Sequence, residues 1–179
     1  MHDGVAEAIA AFGDIATPRA KMPPDLPMKT LKPADVMRLA LAEAEAAGRA
    51  GDVPVGAVVV STAGDVLALG QNRVERDGDP TAHAEMLAIR AAAVSVGAKR
   101  LTEADLYVTV EPCAMCAQAI AFARFRRLVF GAYDPKGGGV EHGARIFERP
   151  TCNHRPEVVG GVLEGDCAAL LKTFFQERR

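Results

Sequence analysis

DLYVTVEPCAMCAQAIAFARFRRLVFGAY, residues 105–133, is the stretch that decides the fold. Asp105 to Val110 is rich in β-branched and aromatic residues and reads as a strand. Pro112 ends it, and Cys113 to Phe125 predicts a helix. Leu128 to Tyr133 is a second short apolar run, hence a second strand. Strands alternating with helices build layered α/β proteins. Two thiols, Cys113 and Cys116, stand at the helix start in Cys-x-x-Cys spacing.

Upstream, Thr81 to Val96 predicts a helix stopped near Gly97. Val55 to Val60 reads as a buried strand, Gly64-Asp65 turns the chain, and Val66 to Asn72 returns as its hairpin partner. Pro33 suits a first helical position, and Val36, Leu39, Ala40, Ala44 and Ala47 recur at helical spacing up to Gly48–Gly51. Downstream come a glycine-rich loop from Lys136 to Gly143, a last strand over Glu157 to Leu163 and a last helix over Asp166 to Gln176. Two strands followed by alternating helices and strands give an α/β fold with a mixed sheet.

Residues 1–32 differ in kind. Pro18, Pro23, Pro24 and Pro27 interrupt any regular structure beyond a turn or two between Val5 and Phe12. The expectation is a flexible, proline-rich extension at 1–32 followed by one domain at 33–179. A dimer strap or a transit peptide are the other readings; Asp3, Glu7 and Asp14 argue against the latter.

The composition is that of a soluble domain, with 25% charged and 49% hydrophobic residues. The net charge of −2 argues against a basic coat but permits a local basic face. No run approaches the ~18 apolar residues of a membrane span, and no secretory pattern opens the chain. A cytoplasmic protein is expected. In that compartment Cys-x-x-Cys with a distant His reads as metal binding, not as disulfides.

The histidine is in His83-Ala84-Glu85, at the start of the helix predicted over Thr81 to Val96. Zinc takes nitrogen and sulfur donors in a tetrahedron; structural sites use four protein ligands, catalytic sites three and a water. Cys152, Cys167, His142 and His154 are the nearest spare donors, and none sits at a paired spacing. The expected site is therefore His83, Cys113 and Cys116 around one Zn²⁺, with an open position. Helix starts supply free N–H groups and partial positive charge, which favour thiolates. Zn²⁺, two thiolates and a neutral imidazole sum to zero charge, so a bound water ionises more readily than bulk water. Glu85 is a supporting carboxylate, a cap or a general base. Positions two apart on an ideal helix do not share a face, so it must reach the site from the helix edge.

His-x-Glu followed by Pro-Cys-x-x-Cys resembles the signature of zinc nucleobase deaminases. The likeness extends to Val53-Pro54-Val55-Gly56-Ala57-Val58, Asn72-Arg73, Asp79-Pro80-Thr81-Ala82, Tyr107-Val108-Thr109-Val110-Glu111, Val129-Phe130-Gly131-Ala132, Asn153-His154-Arg155 and Asp166-Cys167-Ala168-Ala169-Leu170-Leu171. Over residues 33–179 the chain resembles the bacterial tRNA-specific adenosine deaminases. That resemblance implies a cytidine-deaminase-like three-layer α/β/α fold with a central mixed five-stranded sheet, a homodimer, and conversion of the wobble adenosine of a tRNA anticodon to inosine. It implies Glu85 as the proton shuttle. Asn72 would hold the flipped base or its ribose, Val55 would pack against it and Ala84 would be among the substrate-binding residues; Asp134 and Lys136 would follow the anticodon stem-loop, and Phe174 or Phe175 would stack near its flanking nucleotides. Tyr133 departs from the basic residue frequent there, and Gly137-Gly138-Gly139 predicts a more flexible loop.

Read from the residues alone, Asn72 is equally a turn former, Phe174 and Phe175 are more often core or dimer contacts, and His154 is as readily a structural histidine as part of the family's Asn-His-Arg. Cys167 is a small buried hydrophobe. Arg124, Arg126 and Arg127 with Lys172, Arg178 and Arg179 favour an open RNA site over a closed free-base site. Deamination of a free nucleobase or nucleotide such as guanine or cytosine is the second expectation. A zinc-stabilised RNA-binding module without catalysis is the third, and Glu85 argues against it.

Overall fold

The computed structural model describes residues 32–178. The expectation for residues 1–32 falls outside them, Lys32 excepted.

Helix α1 (Pro33–Arg49) precedes the hairpin β1 (Gly56–Ser61) and β2 (Val66–Gln71). A short helix α2 (Val74–Asp77) leads to α3 (Ala84–Val96). Then come β3 (Ala104–Val110), α4 (Ala114–Ala123), β4 (Arg127–Ala132), a 3-10 turn (Ile146–Glu148), β5 (Glu157–Val159) and α5 (Glu164–Gln176). The sheet order is β2-β1-β3-β4-β5. β1 is antiparallel to β2 and β3, and β3, β4 and β5 run parallel. The mixed five-stranded sheet matches the expected fold.

Strand alternation sends side chains to two cores. Ala57, Val59, Leu106, Val108, Leu128 and Phe130 face α3 and α4. Val58, Val60, Tyr107 and Val129 face α1 and Cys167 of α5. The result is three layers. α3 seats directly on β2 because Gly70 has no side chain: a Cβ there would strike the Ala84 carbonyl and the Ala88 amide.

Two expected boundaries shift by more than two residues. The last strand stops at Val159, since Gly161 (φ +82) turns the chain and Leu163 (φ 54) begins α5. α3 begins at Ala84, not Thr81, because Thr81 instead donates its backbone N–H and its hydroxyl to Asp79 Oδ1, at 2.7 and 2.8 Å. α2 and the 3-10 turn have no signal in the hydrophobic pattern.

The register gathers one edge. β1 runs opposite to β3, so the start of β1, the end of β2 and the ends of β3 and β4 lie together. Val55, Asn72, Cys113 and Asp134 emerge there. Ligands of open α/β sheets bind outside such carboxyl ends.

Candidate active site

Two helix starts form the floor. His83 precedes α3 with extended backbone (φ −68, ψ 149), and Cys113 precedes α4 likewise (φ −67, ψ 172). Because His83 is not yet helical, the two-apart rule does not separate it from Glu85. Cys113 and Cys116 occupy the cap and third positions, which face one another as in a capping box. His83 Nδ1 lies 3.7 Å from Cys113 Sγ and 3.6 Å from Cys116 Sγ. A tetrahedral zinc with ~2.3 Å bonds to sulfur and ~2.0 Å to nitrogen separates such atoms by about 3.5 Å. The donor set therefore fits one zinc per subunit.

The charges of the floor agree. Bonding with the Cys116 thiol lowers the Cys113 thiol to about 4 against its burial, with help from His83. Cys116 is pushed up by that same bond and by its burial. Two thiols this close share one negative charge unless a dication joins them, and then both ionise. His83 is raised chiefly by its bond to Cys113. Glu85 is 3% exposed, and burial raises its carboxyl above the usual range although its own backbone and the His83 charge favour the ionised form.

Two irregular segments form the walls. On one side Asn72 Nδ2 donates to the Val53 carbonyl (3.2 Å), and the Asn72 N–H to the Val55 carbonyl (2.9 Å). No donor among the described residues reaches its Oδ1, and no buried side-chain oxygen or nitrogen there lacks a partner. Oδ1 is therefore accessible to solvent. The turn is fixed from beneath by Asp52, fully buried, which accepts the Glu75 N–H (2.8 Å) and Arg76 Nε (2.6 Å). Arg76 in turn donates to the Asn72 carbonyl (3.0 Å).

On the other side the loop after β4 wraps a second buried carboxylate, Glu111. Oε1 accepts the N–H groups of Val140 (3.2 Å), Glu141 (2.8 Å) and His142 (2.8 Å). Oε2 accepts the Asp134 N–H (3.2 Å) and lies 2.7 Å from His142 Nδ1. Burial works against the ionised form, but these donors outweigh it and hold the carboxyl below its usual range. Gly139 donates to the Pro112 carbonyl (2.8 Å), and Gly138 bridges Cys113. A Cβ at Gly138 would meet the Glu111 carboxyl and the Asp134 carbonyl, and one at Gly139 would meet the Ala114 amide. Gly138 and Gly139 are thus in close contact with Glu111 and with the turn that carries Cys113, whereas Gly137 meets only the Asp134 side chain.

The cytidine and deoxycytidylate deaminase zinc-binding region matches residues 31–132. A tRNA-specific adenosine deaminase from Agrobacterium fabrum is 54% identical over 143 residues, 80% of this chain and 93% of the relative. The chain belongs to the tRNA-specific adenosine deaminase family. It is a hydrolytic deaminase. A structure from work on A-to-I editing by tRNA:A34 deaminases shares 54% identity, with a TM-score of 0.74 over 76% of this chain and 98% of that one. Guanine deaminase from Bacillus subtilis is more distant, at 30% identity and a TM-score of 0.58 over 83% and 94%.

Against this family frame the remaining expectations sort by position. Ala84 is sealed in the core, so its methyl cannot face a substrate and only its backbone remains available. Val55, half-buried, carries the carbonyl that holds Asn72. Asp134 Oδ1 turns back onto its own loop and accepts the Lys136 (3.0 Å) and Gly137 (2.9 Å) N–H groups; Lys136 is exposed. Phe174 is buried, its ring covered by Arg178 at 3.6 Å and by the Phe175 ring edge at 5.4 Å. Phe175, at 51% exposure, is the one of the pair with an open ring.

The arginine cluster is corrected. Arg126 and Arg127 lie at the start of β4, one helix length from Cys113 at the opposite end of α4. They pair with Asp105 and Glu157. They give no support for an open RNA site. His154 is structural, its Nε2 2.6 Å from the Phe125 carbonyl oxygen. Asp52 and Glu111 were not singled out from sequence; a carboxylate at the end of an apolar strand, two residues before a zinc ligand, was the available signal for Glu111.

Proposed function

We propose that this chain converts adenosine to inosine at the wobble position of tRNA anticodons. The observation that carries the reading is the His83–Cys113–Cys116 donor cluster with buried Glu85, in a chain 54% identical over nearly the full length of a tRNA-specific adenosine deaminase.

Zinc at this cluster supplies a Lewis acid that makes water nucleophilic at neutral pH. Glu85 would take one proton of the water that attacks C6 and give it to N1 of the purine ring. It would then take the remaining proton from the new C6 hydroxyl and pass it to the amine, which leaves as ammonia as the C6–N bond breaks and the C6 carbonyl forms. A carboxyl raised by burial is suited to hold a proton between these steps. Asn72 Oδ1 accepts a hydrogen bond from the nucleoside, and Val55 lines the same wall. Phe175, Lys136 and the loop at Asp134 meet the RNA beyond the target base. Glycine packing against the Cys113 turn keeps that loop in place for binding.

A homodimer accompanies this reading. α4 is apolar but for Gln118, and Met115, Ala119 and Phe122 follow one stripe at helical spacing. Phe122, at 70% exposure, is left uncovered in the single chain. No described helix is long and apolar enough to cross a membrane. A tRNA substrate places the enzyme in the cytoplasm, and residues 1–32 are proposed to be dispensable for the reaction.

The test compares inosine formation on an anticodon stem-loop bearing a wobble adenosine with ammonia release from free adenine, guanine and cytosine. Inosine in the stem-loop supports the reading. Activity confined to a free base overturns it in favour of a nucleobase deaminase.

A further inference from the structure

His142 has no part in the chemistry above, yet both its backbone N–H and its ring bond to Glu111. Its Nδ1 lies 2.7 Å from Glu111 Oε2. Four backbone N–H groups already converge on that carboxylate, so it serves its loop as an acceptor. Nδ1 therefore presents its N–H to Oε2, and this geometry sets the tautomer. Nε2 is then the acceptor of the neutral ring. It has no partner among the described residues, where no buried side-chain nitrogen lacks one, so it faces solvent. The side chain is 38% exposed and meets the partly exposed Tyr133 edge-to-face, with centroids 5.9 Å apart. Glu111 is two residues from the zinc ligand Cys113, and Gly138, on the same loop, bridges Cys113. The imidazole therefore stands at the rim of the site with one fixed, unsatisfied acceptor beside an aromatic ring.

We propose that His142 binds the RNA substrate: Nε2 accepts a hydrogen bond from the base edge of a nucleotide flanking the target adenosine, with Tyr133 beside it as apolar support. Single-stranded RNA is recognised in this way, through unstacked bases held by aromatic rings and edge hydrogen bonds. An acceptor selects the amino or imino N–H of a base and does not suit a phosphate oxygen. The proposal rests on the tRNA reading above.

His142→Asn separates anchoring from contact. The asparagine amide places an N–H close to where Nδ1 stood, so the bond to Glu111 survives while the outward acceptor is lost. His142→Ala loses both. Each variant is checked for bound zinc and thermal midpoint, then assayed in mildly alkaline buffer on the stem-loop and on versions with one abasic site at each position flanking the target. KM for the intact loop is expected to rise about fivefold in His142→Asn, the scale of one hydrogen bond. One abasic position should raise KM similarly in the wild type and add nothing further in His142→Asn. If His142→Asn keeps the wild-type KM while only His142→Ala is impaired, His142 is a loop anchor and the proposal fails. Additive losses at every abasic position also overturn it, since the contact is then to the backbone or absent. Lack of inosine with the wild-type enzyme sinks the tRNA reading itself, and the contact with it.

Discussion

The floor and the walls of the site are built by opposite means. The floor is regular: two helices begin there, and each contributes its cap residue and first turn to the zinc donors or to Glu85. The walls are irregular, and each is organised around a buried carboxylate that takes its hydrogen bonds from backbone. Asp52 gathers the Asn72 turn and is neutralised by Arg76. Glu111 gathers the loop of Asp134 to His142 with N–H dipoles and an imidazole. On the proposed function, chemistry rests on side chains set by helix starts, and substrate contact on side chains carried by segments that buried carboxylates hold. The two regions should fail differently when broken.

The largest effect belongs to the floor. Glu85→Gln should lower kcat by about 10²–10⁴-fold, the usual worth of a positioned acid–base group. Zinc content and thermal midpoint should match the wild type; undiminished turnover would remove Glu85 from proton transfer and leave it as a cap.

A wall change should act on the fold first. Asp52→Ala leaves Arg76 and the α2 amides without their acceptor. Removing one member of a fully buried pair costs ~3–5 kcal/mol, and the partial exposure of Arg76 reduces this to about 2–3 kcal/mol. Urea unfolding measures it, and KM should rise along with it because Asn72 loses its support. Equal stability in the variant would show that the turn holds itself.

Glu111→Gln sharpens the contrast between the two carboxylates. Its cost should be about 1–3 kcal/mol at neutral pH, since an amide presents an N–H where a donor already points. Glu111 has a folded-state pKa below its unfolded value. Its stabilisation is therefore complete above the ordinary glutamate range and is lost as pH falls through that range towards the lowered value. The stability gap between wild type and Glu111→Gln should narrow on acidification. A gap independent of pH would mean that the proton on Glu111 is not the linked group.

The smallest effect is expected far from both regions. Arg127→Gln breaks a partly exposed pair with Glu157 and should cost at most about 1 kcal/mol. KM for the stem-loop should stay unchanged; a marked increase would return the far-end arginines to the RNA surface.

The same division explains what could be read in the sequence. Strand alternation and helix starts are local, so the layers, the sheet composition and the donors His83, Cys113 and Cys116 were legible from spacing. Asn72 was visible as a residue type at a strand end, and its role toward the nucleoside belongs to the proposed function. Asp52 and Glu111 were not, because their meaning lies in amides contributed 23 to 31 residues away. The arginine cluster misled because adjacency in sequence hides which end of a helix it occupies. The two phenylalanines differ by one position and by burial, which no pattern in a terminal helix reveals.

The three glycines at 137–139 carry one more consequence. Beside Gly137 the nearest atoms belong to the movable end of the Asp134 side chain, whereas Gly138 and Gly139 press on backbone and on Glu111. To a designer choosing where to vary this enzyme, the run is one permissive site followed by two forbidden ones. A library that treats it as a linker would spend two thirds of its diversity on dislocating the turn that carries Cys113.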